Sequence, residues 1–104
     1  MKVEELTVTF EDKVRELDKL VLSSSTSWAT VAYLFQERDP DVEGGWRAPK
    51  LQVRRYRKRG KGWLVDKHVT ISSAAQAVKL AQAITKWFPA DATHSDAAVV
   101  DDEE

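Results

Sequence analysis

Apolar and polar residues change rhythm several times along this chain, and each change marks an element. Leu6, Val8 and Phe10 alternate with Thr7 and Thr9, the period of a strand made from good strand formers. From residue 11 the period lengthens. Phe10, Val14, Leu17 and Val21 fall at i, i+4, i+7 and i+11, which predicts a short amphipathic helix over 11–21 with acids in its first turn. The run Leu20, Val21, Leu22 equally suits the opening of a strand. After a polar break at 23–27, Ala29, Val31, Tyr33 and Phe35 alternate with Trp28, Thr30, Ala32 and Leu34. Both faces are largely apolar, as in a central strand. Asp39-Pro40, Gly44-Gly45 and Ala48-Pro49 then predict a long loop over 36–49.

Residues 50–58 return to strand spacing, with Leu51 and Val53 on one face and Gln52, Arg54 and Tyr56 on the other. Arg59-Gly60-Lys61-Gly62 reads as a turn, and 63–72 as the second strand of a hairpin, with Val69 and Ile71 pointing inward. Ser73 followed by Gln76 is a capping-box pattern, whose hydroxyl and amide satisfy the first free N–H groups of a helix. Ala74, Ala77, Leu80, Ala81, Ile84, Trp87 and Phe88 make one stripe of that helix, opposite Lys79, Gln82 and Lys86, and Pro89 ends it. A helix ending in Trp87 and Phe88 needs a cover for both rings. Pairing with a second copy supplies one, with Leu80, Ile84, Trp87 and Phe88 as the expected contact.

Charge changes this picture most. The chain carries a net −1, but 46–68 holds nine of its sixteen basic residues against one acid, Asp66, a local +8. Trp46, Tyr56 and Trp63 are interleaved with these cations. Cations alone attract any polyanion, whereas cations beside flat rings suit one whose bases are unpaired and free to stack. Arg47, Lys50, Arg54, Arg55, Arg57, Lys58, Arg59, Lys61 and Lys67 are the expected phosphate contacts. Tyr56 is the first candidate for base stacking, followed by Trp63. Six acids and no base follow in 90–104, an acidic tail expected to be disordered beside a single folded domain over 1–89. Such a tail either shields the basic hairpin or only aids solubility.

The remaining composition excludes several chemistries. No cysteine rules out disulfides and thiolate-ligated metals. His68 and His94 have no second ligand at metal spacing, so no metal and no cofactor are expected. Asp66 and His68 lie two apart without a nucleophile, oxyanion site or phosphate loop, so no catalytic residue is assigned and an enzyme is not expected. No apolar stretch is long enough to span a membrane, and the start of the chain is too acidic for a signal peptide. A cytoplasmic protein is therefore expected, nucleoid-associated if bacterial.

Leu51-Gln52-Val53-Arg54-Arg55-Tyr56, a basic turn, and Lys67-His68-Val69-Thr70-Ile71-Ser72 running into a helix resemble the positive-cofactor-four family, transcriptional-coactivator-type proteins that bind single-stranded DNA. The resemblance covers about residues 20–88, and includes the Ser-rich turn and Trp28 of 22–28. Arg54, Tyr56 and Lys67 fall on the family's basic and aromatic positions. Gln52 and Arg55 replace its acids and His68 its glycine, which makes this surface more basic. The resemblance implies an α+β fold: a curved antiparallel sheet of about four strands followed by one C-terminal amphipathic helix, homodimeric, with single-stranded DNA across the strands. Two other readings fit the same residues: an RNA-binding protein whose rings stack on RNA bases, or a dimeric module whose basic ribbon docks an acidic protein.

Overall fold

The computed structural model describes residues 2–89; the acidic tail and His94 lie outside the described residues. Four strands form one antiparallel meander in the order β1 (Val14–Ser24), β2 (Trp28–Glu37), β3 (Lys50–Arg59), β4 (Gly62–Ile71). Helix α1 follows at Ala74–Trp87. The class is α+β. No helix among the described residues is long and apolar enough to cross a membrane.

Strand alternation gives the sheet two faces of different character. Phe35 pairs with Lys50, Tyr33 with Gln52, Val31 with Arg54 and Ala29 with Tyr56, so these residues share one face. The segment before β1 lies over that face. Its Leu6 and Val8 are buried together with Ala29, Val31, Tyr33, Phe35 and Tyr56, and Val3, Val14 and Trp63 pack around them. This is the core. The opposite face carries Leu20, Leu34 and Val69, all exposed, together with half-buried Leu51, Val53 and Ile71.

The covering segment is an extended strap. Its alternation is real, with Leu6 and Val8 inward and Thr7 and Thr9 outward. After a 3₁₀ turn at Val3–Glu5, however, it crosses the sheet instead of pairing along an edge. Without a ladder, side-chain hydrogen bonds tie the strap to β1. The Lys19 ammonium donates to the carbonyls of Glu4 and Leu6, both at 2.6 Å. The Thr7 hydroxyl donates to Glu16 at 2.6 Å, and the Glu16 N–H donates to Thr9 at 3.2 Å. A tight turn through Glu11, whose φ is +51°, then returns the chain into β1.

The helix expected over 11–21 is instead strand β1. Register shifts between Glu16 and Asp18 and between Val21 and Ser23 each insert an extra residue. The residues opposite the core positions of β2 are therefore Glu16, Lys19, Val21 and Ser24, at intervals of three, two and three. Bulged strands depart from the period of two and imitate a helical spacing. Val69 and Ile71 also differ from expectation. They pair with Val53 and Leu51 on the open face, and Val69 is 54% exposed.

Candidate nucleic-acid interface

The basic residues of the β3–β4 hairpin divide between the two faces. Lys50, Arg54 and Lys58 share the core face with Tyr56, while Arg55, Arg57 and Arg59 alternate onto the open face. Outward from Tyr56 the distinction fades, because Arg57, Lys58, Arg59 and Lys61 are all exposed. The hairpin closes through a two-residue turn, Gly60-Lys61, between paired Arg59 and Gly62. Gly60 takes φ +60° while Lys61 does not have positive φ, the signature of a II′ turn, which matches the twist of the strands it joins. The cations are thus presented on a short, twisted ribbon.

Two rings flank this tip, each with a cation over it. The Arg55 guanidinium sits 4.7 Å from the Trp28 ring centre, and the Lys58 ammonium 5.0 Å from that of Trp63. Both rings are half-buried. A register shift after Arg55 brings Asp66 within reach of it, and Arg55 donates from Nε and Nη2 to Asp66 Oδ2 at 3.1 and 2.8 Å. That bond holds the Asp66 carboxyl below its ordinary range. Lys67 lies directly opposite Arg55 on β4, and like charges opposed across strands repel, so the Asp66 carboxylate offsets that repulsion. Lys67 is exposed and its side chain forms no hydrogen bond or ion pair among the described residues; the same holds for the side chains of Arg57 and Arg59.

Tyr56 corrects the expected stacking role. It is only 3% exposed, and its hydroxyl shares a 2.7 Å hydrogen bond with that of Tyr33, which is fully buried. Strand alternation turns Tyr56 away from Arg55 and Arg57, and the small Ala29 opposite leaves room for its ring in the core. Trp46 carries two cations, Arg15 and Arg38 at 4.3 and 4.1 Å from its centre, whereas Trp28 and Trp63 carry one each. Lys50 is half-buried and ion-paired to Glu37 at 2.7 Å, and Arg47 is exposed in the loop beside Trp46. The structure thus groups Arg55, Arg57, Lys58, Arg59, Lys61, Trp63 and Lys67 around the outer hairpin, and sets Arg47, Lys50, Arg54 and Tyr56 apart from it.

The expected dimer residues are exposed in the single chain. Leu80 is 40% exposed, Ile84 46%, Trp87 65% and Phe88 64%. Trp28, Arg15 and Arg38 went unassigned as cation–ring partners in the sequence reading. Trp28 and Arg55 are far apart in the chain and meet only through the β2–β3 register, which places Trp28 opposite Arg57. Comparison with family models, characterised proteins and solved structures gives no match, so the functional reading rests on the chain's own residues.

Proposed function

We propose that this is a non-enzymatic single-stranded DNA-binding protein of the positive-cofactor-four type, acting as a cytoplasmic homodimer and serving transcription or replication and repair. The observation that carries the proposal is the outer hairpin, where Arg57, Lys58, Arg59 and Lys61 are exposed in succession beside Trp63 and Trp28. Six cations within eight residues, 54–61, cost self-repulsion that a bound polyanion relieves. Each cation–ring pair puts a phosphate contact next to a flat apolar surface, the two features an unpaired nucleotide offers. Affinity comes from the phosphates and is therefore largely independent of sequence. Dimerisation would cover the helix stripe and join two such ribbons.

Charge reversal at the tip tests this reading. Arg57→Glu with Arg59→Glu alters two exposed side chains without bonds to lose, so the fold should stand. Affinity for a single-stranded oligonucleotide at low salt should fall by about tenfold or more, because phosphate contacts are lost and repulsion is added. Unchanged affinity, with unchanged circular dichroism, would remove the hairpin as the binding surface.

A further inference from the structure

A cleft of about 500 Å³ opens between the strap and the core face of the sheet, away from the hairpin tip. Its apolar walls are Val8, Phe10, Val14 and Phe35; Gln52, Arg54 and Thr70 form one polar edge, and Thr7, Thr9 and the Lys50–Glu37 ion pair complete the lining. The polar edge is held in one arrangement. The Gln52 amide nitrogen donates to the Thr70 hydroxyl at 2.8 Å, and the Gln52 carbonyl accepts from Arg54 Nε at 2.5 Å. This relay fixes the guanidinium plane but engages only one of its nitrogens. The two terminal nitrogens of Arg54 form no hydrogen bond among the described residues. Phe10, at the cleft, is 55% exposed even with the Lys13 ammonium 5.8 Å from its ring centre, a large apolar ring beside a fixed pair of donors.

We infer that this cleft receives one unstacked base of the bound strand, with the base ring against Phe10 and its acceptor edge on the terminal nitrogens of Arg54. The inference rests on the single-strand reading above and adds a base contact to it. A phosphate alone would satisfy Arg54 and leave the apolar walls uncovered. An aliphatic chain would cover the walls and strand the donors. A flat heteroaromatic ring with acceptors on one edge satisfies both, and the cleft is within the usual size of small-ligand sites. Two parallel N–H donors fit two adjacent acceptors. Guanine offers O6 and N7, and an unpaired cytosine offers N3 and O2. Adenine and thymine offer no two adjacent acceptors. The cleft should therefore favour G or C over A or T at one position of an otherwise unselective strand.

The test compares binding of the full-length protein to a 15-residue oligothymidylate with the same strand carrying one central dG, dC or abasic position. A single dG or dC should tighten binding about fivefold or more, the lower end of a bidentate base contact. That gain should vanish in Arg54→Gln and in Phe10→Ala, whatever those variants do to oligothymidylate itself. If the thymidylate strand binds and all four strands bind alike, the cleft takes no base and the hairpin reading stands alone. If no strand binds, both fail together. Saturation by free dGMP or dCMP at micromolar concentration, with no gain in the oligonucleotides, would assign the cleft to a free nucleotide and overturn the inference.

Discussion

Tyr56 shows how a single residue can be well placed in the sequence and misread in function. Its neighbours Arg55 and Arg57 suggested a stacking ring, but alternation sends it to the core, where its hydroxyl meets that of Tyr33. Alternation was legible; the strap that buries the face was not, because nothing local says which face Leu6 and Val8 will cover. The pair makes a stability prediction. Tyr56→Phe should cost about 1–3 kcal/mol, since it leaves the fully buried Tyr33 hydroxyl without its partner. Tyr33→Phe combined with Tyr56→Phe should cost less than the sum of the two single changes, measurable by urea unfolding of all three variants. Burial, reinforced by the hydrogen bond shared with Tyr56, pushes the Tyr33 phenol well above its ordinary value of 10.0. The unfolded chain then releases that proton first, so this contribution is complete below about pH 10 and is lost as pH rises beyond it. The fall in unfolding midpoint between pH 8 and pH 11 should be smaller in Tyr33→Phe. An equal fall in both proteins would mean that the phenol does not contribute.

At the scale of elements, the hairpin and the final helix were legible because each is written locally. The hairpin shows in a turn with Gly60 at its first position, the helix in a stripe ended by Pro89. β1 was not, because its two bulges carry no residue signature and its pairing partner lies beyond a turn. The helix leaves Ile84, Trp87 and Phe88 about half or more exposed, a patch that a monomer rarely keeps wet. Sedimentation at micromolar concentration should therefore give twice the chain mass of 11.8 kDa. Trp87→Lys with Phe88→Lys should shift it to the single mass while the sheet's near-ultraviolet signal persists. A wild-type monomer would contradict the dimer.

Residues 2–74 form a four-stranded sheet with one covered face, one face carrying the exposed Leu20, Leu34 and Val69, and a basic hairpin at its edge. The charge cluster could be read from the sequence because it is contiguous, whereas its division between faces depends on the β2–β3 register. That division leaves Arg57, Lys58, Arg59, Lys61 and Lys67 as five exposed cations on the outer hairpin. The central claim is that they hold a single strand, and the most direct measurement is an anisotropy titration of one oligonucleotide, single-stranded and as a duplex, across salt concentrations. The single strand should bind more tightly, with a log–log salt slope of roughly −3.5, about −0.7 for each of five contacts. Equal or tighter duplex binding, or a flat response to salt, would contradict the account.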